Sequence, residues 1–386
     1  MKKFFRSEAL FAALIFSYMP VARGQATVDL GGIVTVNYLN GDAGRSPLRQ
    51  NNGPPGFELV GDLFMNARIS DEASAFLELE TWRGWEVRVY SGSLTYKISG
   101  ERLKVEAGKF AAPFGNFLPR RFAPQNFVYG YPLFYEFRTS LTAAAAPLNY
   151  AALLKARASA GDDGLPMISR QAYITGVQFF GKLGAIGYHL GLANGALSNP
   201  TNLSETRRPL VFGRIQIQPA IGFTIGVSAA NGGYLNRAQI ENQQPYLKLE
   251  KCAQTLAGVD IEYSRGYLVF FGESAFSRWE NPLLGDDLDA LAFSAEMRYK
   301  ILPRLFVAGR YGRIRFSEIS DAQDVDADGK LSEPWEFPVW RLESAVGCNL
   351  SRHALVKAVW QINRSENQNG SDPADNLAAL QMTVFY

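Results

Sequence analysis

The chain has 386 residues, with 39 basic side chains against 37 acidic ones and a formal net charge of +2. So even a balance gives no basic footprint for nucleic acid, and two cysteines argue against a disulfide framework. Abundant glycine (36), phenylalanine (26) and tyrosine (17) suit a strand-rich chain with one wet and one greasy face.

Residues 1–24 have the parts of a secretory signal. Lys2, Lys3 and Arg6 supply positive charge, Ala9 to Met19 is a short apolar run, and Ala22-Arg23-Gly24 is a small-x-small cleavage site. No later stretch approaches the roughly 20 apolar residues of a membrane helix. The sequence therefore predicts an exported chain whose second region, 25–386, is built from strands.

Alternation and turn residues place the first strands at 27–38, 57–69, 73–83, 86–99 and 102–110. The second is the clearest: Phe57, Leu59, Leu63 and Met65 face one way, while Glu58, Asp62, Asn66 and Arg68 face the other. After an irregular stretch at 111–170, hairpins resume at 171–181 with 185–193, 209–218 with 221–230, 256–264 with 267–278, 288–300 with 304–316, and 339–349 with 353–363. A last strand at 376–386 carries Ala378, Leu380, Met382, Val384 and Tyr386 on one face. An apolar face of period two ending on an aromatic residue resembles the closing strand of an outer-membrane barrel.

This makes about sixteen strands, an even number as in bacterial barrels. Their connections alternate in kind. Short turns such as Ser70-Asp71-Glu72, Ile301-Leu302-Pro303 and Leu350-Ser351-Arg352 alternate with longer polar loops at 39–56, 111–170, 194–208, 231–255, 279–287, 317–338 and 364–375; the short connection near Gly84 is the exception. Two such rims predict an all-β, transmembrane antiparallel barrel in a Gram-negative outer membrane, in contact with lipid bilayer and lipopolysaccharide. The inward register predicts a wet, charged pore wall containing Arg68, Arg88, Arg102, Lys104, Arg298, Arg341 and Lys357.

Residues 111–170 form a loop of roughly sixty residues, far beyond ordinary loop length. Its aromatics, among them Phe114, Phe117, Phe122, Tyr131, Phe134 and Tyr135, must pack somewhere. Folding inward would narrow the pore; packing over the outer rim is the alternative. Arg120-Arg121 and Arg138 are the candidate anion-binding residues of a constriction, because a guanidinium grips phosphate or carboxylate through two bonds. A solvated surface pair is the other reading of Arg120-Arg121.

Around this loop, Gly108-Lys109-Phe110 followed by Pro113-Phe114-Gly115 is similar to the G-x-F-x-x-P-F-G passage of the phosphate-selective porin O/P family and its relatives. The Ser351–Lys357 turn and strand and the terminal strand also fit that group. The resemblance implies a sixteen-stranded homotrimeric barrel whose third loop folds inward and constricts the channel. The phosphate-specific members resemble one another in dense basic residues at the constriction. Here Arg120, Arg121, Arg138, Lys155, Arg157 and Arg170 are spaced out among Glu136, Asp162 and Asp163, so phosphate specificity is not implied.

Asp324, Asp326 and Asp328, followed by Gly329, match the start of a calcium-binding loop. The match fails at the twelfth position, Trp335, with Glu333 two residues early and Glu336 one late. A structural Ca2+ and an acidic solvated loop are both open, and no cofactor is required. The leading functional expectation is a porin for diffusion of small hydrophilic solutes, anions among them, with selectivity set by charge and pore width. The alternatives are a specific facilitator for sugars or organic acids and, more remotely, a barrel enzyme. An enzyme needs a nucleophile beside a base, and His189 and His353, the only histidines, have no evident catalytic setting.

Overall fold

In the computed structural model the described residues are 27–41, 55–82, 86–157, 161–170, 172–203, 205–325, 329–366 and 375–386. The strands β1 (Thr27–Gly41), β2 (Gly56–Arg68), β3 (Ala73–Trp82), β4 (Glu86–Ser99) and β5 (Leu103–Ala111) precede the long loop. After it come β6 (Tyr173–Leu183), β7 (Ile186–Ala193), β8 (Leu210–Ala220), β9 (Phe223–Gly233) and β10 (Ala253–Arg265). Then follow β11 (Leu268–Trp279), β12 (Leu288–Lys300) and β13 (Leu305–Phe316). A small hairpin, β14 (Glu318–Ser320) with β15 (Ser332–Pro334), stands apart, and β16 (Val339–Asn349), β17 (Ala354–Ser365) and β18 (Leu377–Phe385) complete the chain.

All but β14 and β15 join one closed antiparallel barrel of sixteen strands, each paired with its neighbours in chain order. Closure runs from Ile33 opposite Phe385 to Gly41 opposite Leu377, so no barrel edge is left to seek a partner. The hairpin β14–β15 had no counterpart in the sequence reading, because three-residue strands carry no measurable alternation.

The period-two faces fall where the residues predict. Phe57, Leu59, Leu63, Leu291, Met297, Trp360, Leu380 and Met382 are exposed on the outside, as a wall immersed in lipid requires. Their neighbours in sequence, Glu58, Asp62, Glu296, Gln361, Gln381 and Thr383, point inward. The short turns lie on one rim and the long connections on the other. On the long-loop rim, Trp335 is fully buried against Trp279 and Phe316, at ring-centroid distances of 5.7 and 4.8 Å, and its indole donates to the Asp289 carbonyl at 2.8 Å.

The loop folds inward and carries the main apolar core of the molecule. Phe117, Phe134, Tyr135, Leu133 and Ile168 are essentially fully buried inside the barrel. The expected wet lumen is therefore correct for only part of the wall.

Candidate functional site: the loop-filled lumen

The loop leaves β5 through Pro113-Phe114-Gly115. The Phe114 ring lies over Gly258 of β10, where a Cβ would stand 2.7 Å from the ring. Gly115 has φ +65° and passes so close to the Glu273 carboxylate that a Cβ would collide with it. Backbone handedness and close approach both demand glycine here. The chain then makes short helical turns at Leu133–Glu136 and Tyr150–Lys155, the second capped by the Asn149 side chain, which accepts from the Ala152 amide at 2.8 Å.

The loop leans on the wall formed by β10 to β17, where apolar contacts such as Phe127 on Phe271 are joined by a set of buried ion pairs and charge-assisted hydrogen bonds. Arg310 of β13 forks onto Glu343 at 2.5 and 2.9 Å, pairs with Glu296 at 3.4 Å, and donates to the Tyr129 carbonyl at 3.0 Å. Arg120 of the loop pairs with Glu296 at 2.9 Å and stacks on the Phe271 ring at 3.8 Å. Arg341 of β16 bonds Glu136 of the loop and Asn363 of β17, both at 2.6 Å. The Lys357 ammonium of β17 donates to three loop carbonyls, those of Ala123, Asn126 and Val128, at 3.0, 2.6 and 3.0 Å. Tyr135 donates to Glu273 of β11 at 2.8 Å. Burial works against ionisation of Glu136, but Arg341 and then Arg170 outweigh it and hold the carboxyl below its usual range.

Higher up, the loop is tied to the long-loop rim. Arg157 pairs with Glu333 of β15 at 2.5 Å, and the Ser140 amide donates to Glu336 at 2.7 Å. Tyr129 reaches the far wall, donating to Glu58 of β2 at 3.2 Å.

Open space is left along β2 to β6. An outer cavity of about 380 Å3 is lined by Lys109, Arg138, Asp163, Ser169, Ser198 and Asn202, among others. A deeper cavity of about 360 Å3 lies among mid-strand residues, including Phe64, Phe76, Glu78, Ser93 and Glu106. Tyr173 lines both. At this neck Tyr173 meets Tyr90 edge-on at 4.6 Å and accepts a hydrogen bond from Arg121 Nε at 3.1 Å.

The two adjacent loop arginines diverge. Arg120 is taken up by the covered wall, while Arg121 stands at the neck, ion-paired with Glu78 of β3 and stacked on Phe122 at 4.1 Å. Arg138 borders the outer cavity and donates to the Gly164 carbonyl at 3.0 Å. Among the expected pore-wall residues, Arg341 and Lys357 point inward but are covered by the loop, each 1% exposed. Water at the wall is replaced there by loop carbonyls and a carboxylate. Arg68 pairs with Asp71 at 2.5 Å and Lys104 with Glu101, both on the short-turn rim beside Arg102. Arg298 is half-buried over the Phe127 ring at 4.4 Å. Arg88 stands opposite Glu80 across β3 and β4.

Arg310 is the chief residue that sequence reasoning passed over. The signal was available: the inward register sets it directly opposite Glu296 on one side and Glu343 on the other. His189 Nδ1 lies 3.1 Å from Gln178 Oε1, and His353 Nδ1 3.1 Å from the Phe385 carbonyl. Of the expected calcium ligands only Asp324 is described, its carboxylate accepting from the Gly329 amide at 3.0 Å; Asp326 and Asp328, like the signal segment 1–24, lie outside the described residues.

No protein-family model matches the chain, and no curated protein does. Solved structures do. The outer membrane channel DcaP of Acinetobacter baumannii superposes with a TM-score of 0.60 at 14% identity, over 95% of this chain and 99% of that one. An anion-selective porin from Comamonas acidovorans gives a TM-score of 0.60 at 11% identity, over 94% and 100%. OmpT, an outer membrane protein of Vibrio cholerae, described in a trimer form, gives 0.57 at 10% identity, over 94% and 100%. The likeness is one of fold: a closed outer-membrane barrel.

Proposed function

We propose that this protein is an outer-membrane porin, a passive channel through which small hydrophilic solutes diffuse along the β2–β6 wall. The observation that carries the reading is the off-centre space left by the loop, two cavities that share Tyr173 in their linings. The apolar outer face and the two unlike rims support a lipid-embedded barrel with its short turns on the periplasmic side. The solved channels and porins of the same fold support transport over catalysis, as does the placement of both histidines in ordinary structural contacts. The trimer form of one neighbour supports a homotrimer. The passage around Pro113-Phe114-Gly115 supports kinship with the phosphate-selective porin O/P group in the loop's entry only, since the basic residues here are dispersed.

Charge at the neck is close to neutralised, because Arg121 is paired with Glu78. Anion preference then rests on Lys109 and Arg138 in the outer cavity, where water and salt keep Coulomb interactions modest and confine them to about 10 Å. Single-channel conductance of the purified protein in a planar bilayer tests the proposal. Stepwise opening is expected, with a reversal potential in a KCl gradient that moves toward cation preference in Lys109→Gln and Arg138→Gln. Correctly folded protein that inserts and passes no current would sink it.

A further inference from the structure

Resting on the channel reading, we propose that the deeper cavity is a binding subsite for small organic cations with an apolar body, such as alkyl- or arylammonium ions. Its walls are unusual for a polar lumen. Phe64, Phe76, Phe110, Phe122 and Tyr173 supply rings, and Phe76 is 37% exposed although it faces inward. Phe64 meets Phe122 edge-on at 5.1 Å and lies nearly parallel to Phe76 at 6.4 Å, so the three make an aromatic corner open to the cavity. The negative faces of such rings attract a cation, most strongly where water is displaced.

The same cavity carries two carboxylates. Glu106 accepts from Ser93 and Gln178, both at 2.6 Å, which leaves lone pairs on each oxygen. Among the described residues Glu106 is in no ion pair. Beside Glu78 on the β2–β3 wall, Asp62 and Glu80 oppose one another directly. Asp62 is 9% exposed, and its Oδ1, like Glu80 Oε2, accepts no hydrogen bond. Like charges set across a strand pair repel, and a cation lodged in the adjoining cavity relieves both.

The chain's own cation already shows the preference. The Arg121 guanidinium sits 4.1 Å from the Phe122 ring and 4.3 Å from Tyr90 at the cavity's edge. Its charge is answered by Glu78, which leaves Glu106, the other carboxylate of the cavity's lining, for a second cation. Lys109 belongs to the outer cavity, its ammonium 5.9 Å from the Tyr90 ring. Apolar rings select the body of the ligand and carboxylates its charge; hydrated K+ satisfies only the second.

Benzylammonium, benzoate and benzyl alcohol share one ring and differ in charge, and calorimetric titration of the full-length protein in detergent compares them. Saturable binding of benzylammonium is expected, at least tenfold tighter than benzoate or benzyl alcohol. Phe76→Ala and Glu106→Gln should each weaken it by about three- to thirtyfold, with circular dichroism confirming the fold. Equal binding of the three probes, or unchanged binding in both variants, overturns the proposal. KCl conductance measured in parallel keeps the two readings apart: conduction without benzylammonium binding removes the subsite alone, and binding without conduction removes the channel alone.

Discussion

Two halves of one lumen, built from strands of the same alternating pattern, have opposite fates here. Against β10–β17 the loop lies on the wall and buries it; against β2–β6 the wall borders cavities. The difference shows in how charge is handled. On the covered side Arg310, Arg341, Lys357, Glu296 and Glu343 are 1–2% exposed, and each meets an opposite charge or a set of carbonyls. A charge taken from water without such partners costs several kcal/mol, so the pairing is a condition of burial rather than an addition to it. On the open side Asp62 and Glu80 face one another across β2 and β3, and each keeps a carboxylate oxygen with no hydrogen-bond donor; on the covered side Glu273 Oε2 shares that state, whereas Arg310, Arg341 and Lys357 are fully engaged. A side chain's inward direction thus says little about whether solute meets it; what lies on top of it decides.

The sharpest way to break the comparison is to remove the hub of the covered half. Arg310→Met leaves Glu343 buried without its arginine and Glu296 with Arg120 alone, and should cost about 3–5 kcal/mol. Thermal unfolding in detergent reads this as a markedly lower melting temperature. An unchanged transition would mean that water reaches these carboxylates and that the half is not dry. Next in size, Lys357→Met strips the donor from three buried carbonyls, at about 1–3 kcal/mol for the groups left unsatisfied. Because those carbonyls belong to the loop, the loss should appear as conductance noise and larger openings, with the barrel itself still folded. Quiet channels of wild-type size would refute the anchor.

Acid offers a smaller, reversible version. The Glu136 carboxyl is held below its ordinary value of 4.5, so it binds its proton less readily when folded than unfolded. Its contribution is therefore complete above that ordinary value and is lost as pH falls through the depressed folded one. Flicker of the loop should set in only as pH falls below that ordinary value by this sign, and Glu136→Gln should flicker at neutral pH already. A variant indistinguishable from wild type at both extremes would detach Glu136 from the anchoring. Smallest of all, Arg68→Ala on the short-turn rim removes an ion pair whose side chains are 66% and 84% exposed, and the melting temperature should barely move.

The barrel was legible because its information is local. Period-two alternation, an even strand number and two classes of turn gave sixteen strands with ends within a few residues of those seen, since each hairpin must satisfy the same lipid–water partition on its own. The inward folding of the loop was legible too, from aromatics that needed a home. Which wall it would lean on was not. That choice rests on Phe114 meeting Gly258 and on Glu136 meeting Arg341, partners far apart in sequence. For the same reason Arg341 and Lys357 read as pore wall when they are ties beneath the loop. Arg120 and Arg121 read as a unit because they are neighbours in the chain, yet the backbone sends them to β12 and β3.

The off-centre passage has a consequence for how such a barrel can change. In the proposed channel a solute meets one strip of wall, β2 to β6, where Phe76, Glu106 and Lys109 border cavities and not the loop's buried ion pairs. Substitutions there can alter what passes while the molecule keeps its stability, whereas those along β10–β17 disturb buried ion pairs first. On that reading, selection on what passes and selection for a sound fold act on separate faces of the same cylinder.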